Sequence, residues 1–173
     1  MERNLTHIAL FAALIAVLGL VPKIDLAAGV PITAQSLGIM LCGTVLGAKR
    51  GALAVLLFLA LVAAGLPLLS GGRGGIGVFA GPSVGFLVGF PIAAFVAGWV
   101  MERTTLSPAV AATAASVIGG IGVMYVFGIA GMALVLGKSL SEAAVLAFAF
   151  LPGDAVKAVI AGLVTQSLAR MRP

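Results

Sequence analysis

Long apolar runs separated by short polar breaks dominate this chain. The runs cover approximately residues 5–21, 35–48, 52–66, 83–101, 108–136 and 154–171. Pro22, Lys49-Arg50-Gly51, Pro67 and Glu102-Arg103 punctuate them. A helix needs roughly 20 apolar residues to cross the hydrocarbon core of a bilayer. The pattern therefore predicts an all-α, polytopic membrane protein, a six-helix bundle forming one domain over residues 1–173. The short polar–apolar alternation of a membrane β-barrel is absent.

Details of the pattern refine the elements. Gly119, Gly120, Gly122, Gly128 and Gly131 fall inside the fifth run, which reads either as one tilted helix or as a kinked one. A short amphipathic piece, residues 141–150, precedes the sixth run, with Ser141 as its N-cap and Pro152-Gly153 as its break. Arg3 before an apolar core and Leu26-Ala27-Ala28 beyond it resemble a signal peptide, but Pro22, Lys23 and Asp25 separate core from cleavage site. The first run is read as a retained helix.

Composition agrees: hydrophobic residues make up 62% of the chain and mean hydropathy is +1.27. Charge then orients the bundle. With six spans both termini share one side, which holds Arg3, Lys49, Arg50, Arg103, Arg170 and Arg172 against Lys23, Arg73, Lys138 and Lys157 opposite. The positive-inside rule makes the termini cytoplasmic. Asp25, Thr33, Gln35, the Gly-rich loop and the Asp154/Lys157 pair then gather outside. The net charge of +5 forms no continuous basic stripe, so nucleic acid is not an expected partner. The single Cys42 excludes an intrachain disulfide.

Few residues offer chemistry. Asp154 and Lys157 stand three apart at the mouth of an apolar run, on one helix face. Ionisable groups at membrane depth are costly and mark functional sites. The acid accepts hydrogen bonds and the base donates them, which suits a ligand carrying both N–H and C=O groups. The bland alternative is mutual neutralisation at a helix start. Ser70–Pro82 is Gly-rich without being a nucleotide loop: Gly43–Lys49 has the wrong spacing for GxxxxGK[ST], and Arg50 stands where Ser or Thr is needed. A lid over a cavity fits it better. The lone His7 and the lack of HExxH, GxSxG or a second intramembrane acid leave no parts for a metal site or a hydrolase. Neither cofactor nor metal is expected. Gly81, Gly85 and Gly89 form two GxxxG frames, and Ala9, Ala12, Ala13 and Ala16 make a small-residue stripe on the first helix. Both suit helix packing, inside the bundle or against a partner.

Several segments together carry a family resemblance. They are Ala9-Leu10-Phe11-Ala12-Ala13-Leu14-Ile15-Ala16-Val17, Pro31-Ile32-Thr33-Ala34-Gln35-Ser36-Leu37, Leu46-Gly47-Ala48-Lys49-Arg50-Gly51 and Gly65-Leu66-Pro67. Residues 80–90 resemble a GPTGGYLxGF pattern, with Ser83 for Thr, Val84 for Gly and Phe86 for Tyr, and Leu151-Pro152-Gly153-Asp154-Ala155-Val156-Lys157 completes the set. Over almost its whole length the chain resembles the BioY family, the biotin-binding S components of energy-coupling-factor (ECF) transporters. The resemblance implies a non-enzymatic biotin-capture subunit, working with a transmembrane coupling subunit and an ATPase pair or alone. It implies Asp154 and Lys157 at the ureido ring, Arg73 or failing it Lys23 at the carboxylate, and Phe79 and Phe86 beside the bicycle. Gln35 and Ser83 complete the expected ligand-binding set, and the alanine stripe becomes a docking surface for the coupling subunit. Self-association, a different small-vitamin ligand, an intramembrane enzyme using Asp154 as acid or base, and a passive channel or assembly protein stay open as alternatives.

Overall fold

The computed structural model describes residues 2–25 and 30–171. Leu26, Ala27, Ala28 and Arg172 lie outside the described residues. The helices are α1 (Glu2–Leu18), α2 (Gln35–Leu46), α3 (Ala48–Ala63), α4 (Val84–Arg103), α5 (Pro108–Leu136), α6 (Leu140–Ala147) and α7 (Leu151–Arg170). Short 3₁₀ turns occupy Ile76–Ala80 and Phe148–Phe150. Only two isolated β-bridges, Ile24 with Ile32 and Leu69 with Arg73, occur among the described residues.

Three stretches are long and apolar enough to cross a membrane on their own: Val84–Arg103, Pro108–Leu136 and Leu140–Arg170. Helix α2 is not one of them. Its 12 residues span only about 18 Å at 1.5 Å per residue. It survives because it is central: α1, α3, α4 and α7 all pack on it, and most of its side chains are buried. The extended segment before it, Val30 to Thr33, lines a cavity. Non-helical backbone at membrane depth is tolerated only in such places.

Glycines set the closest approaches. A Cβ at Gly85 would strike the Phe127 carbonyl and Gly131, and one at Gly89 would meet Phe127, so this pair seats α4 on α5. Gly81 precedes α4 and faces largely open space, so only one of the two GxxxG frames packs. At the α2–α3 corner Gly47 has φ +84°, a left-handed value that disfavours any side chain. There the Glu102 carboxylate accepts the Ala48 N–H at 2.8 Å, tying the start of α3 to the end of α4.

Two local expectations are corrected. Helix α6 is capped by Ser139, not Ser141: the Ser139 hydroxyl accepts the Glu142 N–H at 3.2 Å and Glu142 accepts the Ser139 N–H at 2.9 Å. This capping box needs a Glu three residues after the cap, which only Ser139 has. Pro152 does not end the preceding piece; it sits in the first turn of α7, where its missing N–H costs no helical bond. The fifth run is one continuous helical stretch in which Ser116–Val123 winds as a π-helix. That segment lays Gly119 on Ala93 and Ala97 of α4, and Gly120 on Met40 of α2.

Candidate functional site

The N-terminus of α2 ends against α7 rather than in a loop, and this juxtaposition builds a polar node. Asp154, in the first turn of α7, is 5% exposed and has every local bond directed inward. Its Oδ1 accepts the Ser36 hydroxyl at 2.8 Å and the Lys157 ammonium at 2.9 Å. Its Oδ2 accepts the Tyr125 hydroxyl at 2.9 Å. Lys157 donates a second bond to the Ser36 oxygen at 2.9 Å, so Ser36 receives from the base and gives to the acid. A buried charge is tolerable only when paired and hydrogen-bonded, and both conditions hold here. The ion pair exists, as mutual neutralisation requires, yet its capacity is not exhausted. Asp154 Oδ2 has room for a further donor, and Lys157 keeps one N–H.

This node opens on a cavity with about 580 Å³ of unfilled space, counting its mouth. Its walls come from Val30 to Thr33, from Gln35 and Ser36 of α2, from Phe86, Leu87 and Phe90 of α4, and from Met124 and Phe150. Phe86 meets Tyr125 edge-on at 6.2 Å between ring centroids and Phe150 at 5.7 Å. Such edge-to-face pairs fix ring planes, so the apolar wall is rigid and aromatic. Ser83 closes the wall at the start of α4.

Arg73 lines the same cavity, carried by the Leu69–Arg73 turn. Gly71 (φ +79°) and Gly72 (φ +70°) take the left-handed values that a tight reversal demands. The Arg73 Nε donates to the Ser70 carbonyl at 3.3 Å. No carboxylate pairs with Arg73 among the described residues, which leaves the ends of its guanidinium for a ligand anion.

Of the residues expected at the site, Asp154, Lys157, Arg73, Gln35, Ser83 and Phe86 all line this cavity. Phe79 does not. It sits half-buried in the 3₁₀ turn Ile76–Ala80 and packs on the core instead. Lys23 also lies elsewhere: it pairs with Asp25 and its chain crosses over Gly71. Ser36, Tyr125, Phe90, Met124 and Phe150 escaped the expectation. For Tyr125 a signal existed: it is the chain's one tyrosine, set in an apolar span where a buried hydroxyl must find an acceptor.

The alanine stripe divides. Ala9 and Ala13 face outward, whereas Ala12 is buried and Ala16 packs on the core. Four positions at i, i+3, i+4 and i+7 cover an arc of about 100°, wide enough to straddle the bundle edge. No group of three or more His, Cys, Asp or Glu suited to a metal occurs among the described residues.

An apolar, aromatic-walled cavity inside a helical membrane bundle, lined by a charged node and by a guanidinium without a carboxylate partner, defines a membrane-embedded small-molecule-binding protein. The chain belongs to the BioY family, whose model matches residues 2–173. It is 54% identical to the biotin transporter BioY of Rhodobacter capsulatus, across 100% of this chain and 96% of that one. It is 42% identical to a probable biotin transporter BioY of Bacillus subtilis, across 95% and 91% respectively. The fold matches the crystal structure of the S-component for biotin from an ECF-type ABC transporter with a TM-score of 0.92 and 30% identity, covering 98% of this chain and 92% of that one.

Proposed function

We propose that this chain is a high-affinity biotin-binding subunit of a vitamin uptake system in a prokaryotic cell membrane, and not an enzyme. The observation that carries the reading is the hydrogen-bonded Ser36–Asp154–Lys157–Tyr125 node at the end of an apolar cavity. Biotin presents two ureido N–H groups and one C=O, an apolar thioether bicycle and a carboxylate at the end of an alkyl chain. The spare acceptor site on Asp154 Oδ2 meets a ureido N–H, and the remaining Lys157 N–H meets the ureido carbonyl. Phe86, Phe90 and Phe150 pack the bicycle, where ring edges and a thioether attract one another. Arg73 pairs with the carboxylate, a charge-assisted contact stronger than a neutral one.

The whole chain, residues 1–173, works as one six-helix domain with both termini cytoplasmic and the cavity facing out. It carries no ATP motif, so its energy comes from elsewhere. A transmembrane coupling subunit with ATP-hydrolysing subunits is the proposed partner, by analogy with the ECF-type system named for the matching structure. The exposed Ala9 and Ala13 of α1 offer that partner a close helix approach.

Denaturing the purified protein and weighing what it releases tests the reading. A stoichiometric biotin molecule supports it, as does saturable binding to the emptied protein. An emptied, folded chain that ignores biotin would sink it.

A further inference from the structure

Gln35 lines the cavity, yet its amide is already committed. It is 2% exposed, and its Nε2 donates to the Ile15 carbonyl at 3.1 Å and the Leu68 carbonyl at 3.0 Å. Its Oε1 accepts the Ser70 N–H at 3.0 Å. Both donors are spent, and the acceptor already takes a backbone N–H. All three partners are backbone groups. One belongs to the end of α1, and two bracket Leu69, where the turn bearing Arg73 begins. That turn closes on itself through Leu69 and Arg73: Leu69 N–H to Arg73 carbonyl at 2.9 Å and Arg73 N–H to Leu69 carbonyl at 3.2 Å. The Gln35 amide ties it to the bundle, and beyond it the Gly75 N–H bonds the Val62 carbonyl at 2.8 Å. The next residue along α2, Ser36, bonds Asp154 and Lys157.

We propose that Gln35 is a positioning residue: it holds the Leu69–Arg73 turn at a fixed distance from the Ser36–Asp154–Lys157 node, and so sets the spacing between the two charged ends of the site. Gln35 touches no ligand in this role. The proposal rests on the biotin reading and deepens it, because it assigns recognition of the acid end to a side chain that acts through Arg73. Two neighbouring residues on one rigid helix start, about 3.8 Å apart at Cα, thereby govern opposite ends of one ligand. Gly19 belongs to the same device: a Cβ there would land between the Leu68 carbonyl and Gln35 Nε2.

The test compares biotin with biotin amide, which lacks the negative charge but keeps the ureido ring. Gln35→Met keeps the side-chain length and deletes all three bonds. It should weaken biotin roughly tenfold, the scale of one charge-assisted contact, and weaken the amide less than about twofold. In an Arg73→Ala background the same change should add nothing for biotin. Gly19→Ala, which disturbs the Gln35–Leu68 contact without touching Gln35 or Arg73, should also lower the acid-over-amide preference. Thermal unfolding of each purified variant confirms a folded state. Equal losses for acid and amide, or losses that simply add in the double variant, overturn the proposal. So does collapse of both Gln35→Met and Gly19→Ala, which would make Gln35 a residue of the fold alone. Failure of the biotin reading would show itself earlier, as a wild-type chain that binds neither ligand.

Discussion

Tyr125 and Asp154, 29 positions apart in the chain, meet in the interior with the tyrosine hydroxyl donating to the carboxylate at 2.9 Å. The phenol ring also stands edge-on to Phe86. One side chain thus joins the polar node to the aromatic wall. Tyr125→Phe keeps the ring and removes only the donor, so it should weaken biotin by about three- to tenfold, the scale of one ordinary net hydrogen bond. Calorimetric titration of the purified variant checks this, and an unchanged affinity would mean that Tyr125 supports the fold without tuning the acid.

Asp154→Asn and Lys157→Ala should each weaken biotin by at least about tenfold, since a buried charge left without its partner costs roughly 1–3 kcal/mol or more. Thermal unfolding should show both variants still folded. Wild-type affinity in both would leave the pair as mutual neutralisation and nothing else.

Arg73→Ala should hurt biotin more than biotin amide, because only the acid carries the charge that Arg73 pairs. The comparison needs only two titrations on one protein. Equal losses would remove Arg73 from the carboxylate role.

The divided alanine stripe gives a paired prediction. Ala13→Trp, on the exposed side of α1, should block co-purification with a coupling subunit and leave biotin binding by the isolated chain intact. Ala12→Trp, at a 4% exposed core position, should damage folding and binding together, since overpacking typically costs about 1–3 kcal/mol or more. A harmless Ala12→Trp or a destabilising Ala13→Trp would contradict the observed division.

Much of this was legible in the sequence because membrane interiors punish charge. Asp154 and Lys157 stood out against an apolar background, and apolar runs located the helices to within a few residues. What stayed hidden depended on contacts between distant segments. Ser36 is an ordinary helix-start serine until α7 arrives 118 residues later. Gln35 read as a ligand contact because it falls in the outward polar cluster and in a segment that carries the family resemblance. Only the positions of Ile15, Leu68 and Ser70 show that its amide is spent. Phe79 read as a pocket aromatic, but the 3₁₀ turn Ile76–Ala80 directs it to the core. On α1, periodicity groups four alanines on one arc without saying which edge of the arc is covered.

The π-helical segment Ser116–Val123 ends one residue before Met124 and two before Tyr125. An α-helix advances about 100° per residue, whereas a π turn spreads more residues over each turn, so the winding of this segment sets the rotation of everything beyond it. Were the segment to relax to ordinary α winding with no residue removed, Tyr125 would rotate about the helix axis, away from Asp154. The pocket therefore depends on an angular phase as well as on its side chains. A homologue could keep every residue named here and still lose the node if this segment wound as an ordinary α-helix.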